Sequence, residues 1–278
     1  MDEIIKERRA LESDLKKALK NDELSIMYQP LVRAGDFRVV GFEALTRWKH
    51  PTRGYVPPSE FIPIAEKAGI IVDIGDWVIN EACRQAAIWP SPFTVSVNLS
   101  PQQFQSGKIV EVVTEALMRT GLEPSRLELE ITEGLFMERT ESVIYTLREL
   151  KAMGVSIAMD DFGTGYSSLS YLLQFPFDKL KIDRSLINEL DNDPATVNVL
   201  EAIIKLGNVL GLHVLAEGIE TDDQARFLIG LNCSFLQGYL FGRPLLADQV
   251  PAFILKNLKE TVKNRGQTLF ETDISLAG

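Results

Sequence analysis

The stretch "LSIMYQPLVRAGDFRVVGFEALTRW", Leu24 to Trp48, holds two apolar, β-rich runs (24–32 and 38–48) separated only by "RAGDF". A parallel crossover needs a dozen or more residues. Five residues with Gly35 in a turn position therefore predict a hairpin and one antiparallel pair. Six more such runs follow: "FTVSVNLS" (93–100), "RLELEIT" (126–132), "VSIAMDD" (155–161), "DKLKID" (178–183), "HVLAEGI" (213–219) and "FLQGYLF" (235–241). Helix-length amphipathic segments lie between most of them, at 58–68, 73–88, 107–120, 138–153, 193–211 and 221–230. Eight strand-like runs joined mostly by helices predict an α/β fold, a TIM-like (β/α)8 barrel with an antiparallel first strand. A doubly wound sheet is the alternative.

The barrel is assigned to residues 21–257. Residues 1–20 read as a charged helix with Leu11, Leu15 and Leu19 on one face, equally a helix packed on the domain or a linker from an upstream domain. Residues 258–278 lose the pattern and read as a C-terminal tail. At 278 residues the length suits one barrel or two ordinary domains, and the apolar share of 45% with 24% charged residues is that of a globular chain. No apolar run is long enough to cross a bilayer, and "MDEIIKERRALES" is too charged for a secretion signal. A cytoplasmic location is expected, either as such or as the cytoplasmic part of a larger, membrane-anchored protein. Cys83, Cys233, His50 and His213, the only residues of their types, show neither a disulfide framework nor zinc-site spacing. The formal charge of −10 argues against bulk nucleic-acid binding and suggests that a phosphate-bearing substrate would be met through metal ions.

The polar residues fall at one place in the pattern. Glu43, Asn98, Glu130, Asp160 with Asp161, Lys181, Glu217 and Gln237 all stand near the C-terminal ends of strand-like runs. In a barrel those ends form one rim, where active sites are built. Five carboxylates, two amides and one lysine cannot share a rim unaided, because like charges raise carboxylate pKa values or drive the groups apart. Divalent cations resolve this. Oxygen donors without His or Cys select Mg²⁺ or Mn²⁺, with Ca²⁺ also able to bind, and the donor count suits two ions sharing a carboxylate. A bend is needed to aim both Asp160 and Asp161 inward, and Gly163 and Gly165 can supply it. Such two-metal sites typically run in-line displacement at phosphorus, so phosphodiester hydrolysis is the chemistry expected. Each residue has a plainer reading: Lys181 could pair with Asp183, Asn98 could cap the next helix, and His213, at a strand start, is structural. The weight lies in their concurrence.

These residues resemble the EAL domain family of bacterial cyclic di-GMP phosphodiesterases. The signature stands as "EALTRW" (43–48), with "YQP" (28–30), "PSEFIPIAEKAG" (58–69), "VNLS" (97–100), "LEITE" (129–133), "DDFGTGYSSL" (160–169), "KIDRS" (181–185), "AEGIET" (216–221) and "QGYLFGRPL" (237–245). The resemblance implies that Glu43, Asn98, Glu130 and Asp160 hold one metal. It implies that Asp160, Asp161 and Glu217 surround the second, with Asp160 bridging. Lys181 resembles the lysine holding the attacking water, and Gln237 the glutamine across the site. Glu133 resembles the glutamate that anchors the loop after the paired aspartates, while Gln29 and Arg47 resemble substrate contacts. Catalysis would fall to Lys181, Glu43 and Glu217, with the role of Glu217 as a general base left open. Implied as well are the product, linear pGpG, two Mg²⁺ or Mn²⁺ ions with Ca²⁺ inhibitory, a homodimer, and an upstream sensory or GGDEF domain. Thr46, Ser234 and Gly242 depart from the family pattern without removing a ligand.

Two other classes are weighed beside this enzyme. One is a receptor that binds the dinucleotide without turnover, which no replaced ligand favours. The other is a barrel lyase or aldolase, for which Lys181 among so many acids would be a poor Schiff-base residue.

Overall fold

The computed structural model describes residues 2–137, 140–163, 169–190 and 194–259. The chain lays down β1 (Leu24–Arg33) and β2 (Val39–His50), then a short β3 (Gly54–Val56) folded back on β2. There follow β4 (Thr94–Leu99), β5 (Leu127–Thr132), β6 (Ser156–Phe162), β7 (Lys179–Ile182), β8 (His213–Ala216), β9 (Phe235–Gln237) and the two-residue β10 (Leu245–Leu246). The helices are α1 (Asp2–Ala18), α2 (Pro58–Lys67), α3 (Ile71–Ala87), α4 (Pro101–Gln105), α5 (Ile109–Thr120), α6 (Thr140–Ala152), α7 (Leu169–Gln174), α8 (Arg184–Asn188), α9 (Pro194–Val209) and α10 (Asp222–Gly230). A further helix runs over 250–259.

Eight strands close into a barrel. β2, β4, β5, β6, β7, β8 and β9 pair in parallel, and β1 closes the ring antiparallel to both β2 and β9. The hairpin is therefore the device that closes the barrel, and the doubly wound alternative is excluded. β5 and β7 are buried almost throughout, as strands covered on both faces must be. Between strands and helices the core is aliphatic, with Ile79, Val95, Leu129, Ile157, Leu180, Val214 and Leu228 buried.

Local signals set several boundaries. Ser100 and Thr221 form capping boxes with Gln103 and Gln224 at the starts of α4 and α10. The segment expected to be helical from 107 begins at Ile109, because Gly107 turns with φ of 71° after α4. The first-twenty helix is a packed element: Leu11, Leu15 and Ala18 are buried, Asp14 meets His50 at 3.2 Å, and Glu7 meets Arg53 at 3.1 Å. Replacing Leu15 with alanine is expected to cost about 2–5 kcal/mol. A lower urea midpoint at unchanged slope would register that loss. At the other end Val250 and Ile254 are buried, whereas residues 260–278 of the expected tail lie outside the described residues.

Candidate functional site

The strands bring most of the expected residues to one point. Lys181 of β7 is 1% exposed, and its Nζ lies 2.5 Å from Glu130, 2.7 Å from Glu217, 3.1 Å from Asp160 and 3.9 Å from Glu43. The plainer pairing with Asp183 does not form; that carboxylate caps α8 through the Ser185 amide at 2.9 Å. Nor does Asn98 cap a helix. Its Nδ2 donates to Glu43 Oε1 at 2.8 Å, while Gln237 Nε2 donates to Glu43 Oε2 at 2.6 Å. Two amides thus fix the orientation of one carboxylate. Gln29 completes the row, accepting from Gln237 at 3.4 Å and donating to the Gly242 carbonyl at 3.4 Å.

The paired aspartates stand at a backbone irregularity: Asp160 is buried against Lys181, whereas Asp161 is only partly covered. Register slips between Met159 and Phe162, and Asp161 itself adopts a left-handed φ of 55°, followed by Gly163 at 95°. The expected bend is real but begins two residues before the glycine, at a position that tolerates it as Asp often does. Gly165 and Tyr166 of the following loop lie outside the described residues. Past β9, Gly238 is required by close approach, since a Cβ there would stand 2.2 Å from the Ile219 nitrogen.

When all ionise, five carboxylates against one ammonium leave four negative charges uncompensated, and the acids respond. Burial, with Glu43 and Asp160 nearby, pushes Glu217 up to about 8 against the pull of Lys181. Burial and Asp160 push Asp161 up to about 6. Glu130 is held well above the usual carboxylate range, again chiefly by burial. For Lys181 burial acts downward, but Asp160, Glu130, Glu217 and Glu43 together hold its pKa well above the ordinary lysine value.

These residues fit hard divalent cations by donor chemistry and by charge. All the donors are oxygens, and Glu217 Oε1 is a buried oxygen held 2.7 Å from the Lys181 ammonium. Among the described residues no three His, Cys, Asp or Glu side chains already stand in metal-holding geometry. The Lys181 ammonium takes the centre, so cations would have to share the acids with it.

The other expected residues border this centre. A cleft of about 290 Å³ opens above it, lined by Gln29, Glu43, Leu45, Arg184, Glu217 and Tyr239. Arg47, half-buried, donates to the Thr46 carbonyl at 3.0 Å and lines a neighbouring apolar pocket of about 320 Å³ with Leu45, Ile62, Ile74, Val78 and Gln103. Gln103 is buried there, its Oε1 accepting from the Ser100 amide at 3.1 Å and its amide group turned to Asp76. Thr46 lines the same pocket, so its departure from the family pattern changes packing and leaves the acids untouched. Glu133 begins a 3-10 turn (Glu133–Met137) directly after β5. Two residues below the site the sequence reading missed a second buried pair, Lys179 with Glu128, 2.6 Å apart. The repeats "ELE" (128–130) and "KLK" (179–181), read at the strand period, were the available signal.

A family model described as the EAL domain matches residues 12–244. This chain belongs to the EAL domain family. It is 46% identical over 252 residues to the bifunctional diguanylate cyclase/cyclic di-GMP phosphodiesterase MucR of Pseudomonas aeruginosa, covering 89% of this chain and 37% of that protein. It is 41% identical over 248 residues to the cyclic di-GMP phosphodiesterase NbdA of the same organism, covering 88% and 32%. Among solved structures it superposes on the MucR phosphodiesterase in complex with c-di-GMP with a TM-score of 0.84, 47% identity, and coverage of 87% of this chain and 99% of the other. The EAL chain spans about a third of the length of the curated relatives it matches. No helix among its described residues is long and apolar enough to cross a membrane.

Proposed function

We propose that this EAL domain hydrolyses one phosphodiester bond of cyclic di-GMP to give linear pGpG. The observation that carries the reading is the rim cluster itself: Glu43, Glu130, Asp160 and Glu217 gathered within 4 Å of one buried lysine, in a chain of this family. Two divalent cations, Mg²⁺ or Mn²⁺, held by Glu43, Asn98, Glu130, Asp160, Asp161 and Glu217, would acidify a water and neutralise charge gathering on the phosphate. Lys181 Nζ orients the attacking water and adds positive charge that no solvent screens. Glu217, 2.7 Å from the Lys181 ammonium that holds the water, is the carboxylate that takes its proton. As the water oxygen bonds to phosphorus, the ester bond to the 3′ oxygen breaks and that oxygen takes a proton, leaving a 5′-phosphate on the product. Gln237 and Asn98 hold Glu43 so that its oxygens do not turn away from the ions. Gln29 and the forked guanidinium of Arg47 bind the dinucleotide, with one base in the apolar pocket beside Arg47. Glu133 anchors the loop that follows the aspartates.

The proposal extends to a cytoplasmic homodimer, with an upstream sensory or GGDEF domain reaching the barrel through α1. Sedimentation and rate with and without residues 1–20 test that extension; unchanged values would remove α1 from regulation. For the chemistry, the chain is incubated with cyclic di-GMP and Mg²⁺ or Mn²⁺ and pGpG is followed by chromatography. Product is expected with either ion, not with Ca²⁺, and not from Glu43→Ala. Tight nucleotide binding without product at any protein concentration would make this chain a receptor instead.

A further inference from the structure

We propose that the buried Lys179–Glu128 pair is a positioning brace, holding β5 and β7 at the spacing the acid cluster above it requires. The inference rests on reading that cluster as the cation site. Each member of the lower tier stands two residues below a member of the site on the same strand: Ser96 below Asn98, Glu128 below Glu130, Lys179 below Lys181, Phe235 below Gln237. The bonds repeat as well. Lys179 Nζ meets Glu128 at 2.6 Å as Lys181 Nζ meets Glu130 at 2.5 Å, and both contacts pass from β7 to β5 across the intervening β6. Ser96 Oγ donates to Glu128 Oε1 at 2.9 Å, much as Asn98 donates to Glu43 one tier up. Below, Lys179 Nζ lies 5.2 Å over the Phe235 ring, which limits its movement toward β9.

Barrel interiors are ordinarily filled with branched apolar side chains. A buried ion pair adds little stability over an apolar pair of the same volume, so stability alone is a poor account of this one. What it adds is direction, because a short charge-assisted hydrogen bond fixes both distance and rotamer. The lysine contacts of the upper tier do not fix one geometry by themselves. There Lys181 is shared among several acids, and any entering cation must take some of that bonding for itself. The lower pair has no competitor: both side chains are 8% exposed and no second acid contacts the ammonium within ion-pair distance among the described residues. It can hold the strands apart by a constant amount while the upper bonds exchange.

The test is the double variant Glu128→Gln/Lys179→Met, which removes both charges at nearly constant volume. Lys179→Met alone would leave Glu128 buried and unpaired and report mainly on folding. The double variant is expected to melt within a few degrees of the parent. It should bind Mn²⁺ about 10-fold more weakly, read by the electron paramagnetic resonance of free Mn²⁺, the effect usual for groups that orient metal ligands. At saturating Mn²⁺ its kcat for cyclic di-GMP should fall about 10-fold with KM within twofold, and Lys179→Arg should restore most of both. Parental Mn²⁺ affinity and kcat in a folded double variant would overturn the brace, and so would a double variant that does not fold, which assigns the pair to stability. If the parent turns over no cyclic di-GMP yet the Mn²⁺ affinity still drops, the brace stands and the hydrolase reading fails.

Discussion

Lys181→Met is expected to lower the turnover of cyclic di-GMP by about 10²–10⁴-fold, the range for loss of a positioned proton-handling or charge-stabilising group. The same change should destabilise the metal-free protein by about 3–5 kcal/mol, because Glu130, Glu217 and Asp160 lose their shared counter-charge inside the barrel. The two effects separate with added Mg²⁺. Divalent cations can replace the lost charge, so melting temperature should recover with ion concentration more steeply than in the parent. They cannot replace the Nζ hydrogen-bond donor, so turnover should not recover. Full turnover in saturating Mg²⁺ would reduce Lys181 to a placeholder that occupies the acids until cations arrive.

Chelation is expected to abolish turnover and to expose a pH dependence of stability that cations conceal. In the metal-free chain Glu217 titrates near 8 instead of the ordinary 4.5, and Asp161 near 6 instead of 3.8. Between those values the folded state keeps protons that the unfolded chain has released. Unfolding free energy must therefore fall as pH rises, from roughly 4.5 up to about 8 for Glu217. Cations need the carboxylates bare, so binding expels those protons and should flatten the profile. Thermal melts at several pH values across this window, with chelator and with Mg²⁺, read both curves, and Glu217→Gln should remove much of the metal-free slope. A chelated protein whose melting temperature rises with pH would mean that crowding of negative charge is not what the site has to overcome.

Much of this was legible in the sequence, for physical reasons that differ by element. Five residues between two apolar runs leave no room for a crossover, so the β1–β2 hairpin followed from chain length alone. The rim acids followed from alternation and from where barrel strands end. The strands β3 and β10, three and two residues long, carry too little periodicity to see. Whether Asn98 would cap α4 or turn inward was open locally. Ser100 takes the cap, which leaves the Asn98 amide to Glu43. The left-handed backbone of Asp161 has no signature of its own in the sequence, where Gly163 and Gly165 stand close by. The Lys179–Glu128 pair joins residues 51 positions apart across another strand, so only closure of the barrel brings it into being.

The reversed β1 has a consequence for how the domain can be wired. In a barrel of uniformly parallel strands, the polypeptide arrives at the floor, a full strand length from the chemistry. Here β1 begins beside the far end of β2, with Leu24 opposite Trp48, and α1 is pinned by Asp14 and Glu7 to His50 and Arg53 at that same end. A displacement of α1 would pull on the strand that carries Glu43 and Arg47 without crossing the rigid interior. The doorway of the chain and the mouth of the barrel are on one side, so a lever attached to the first would be short.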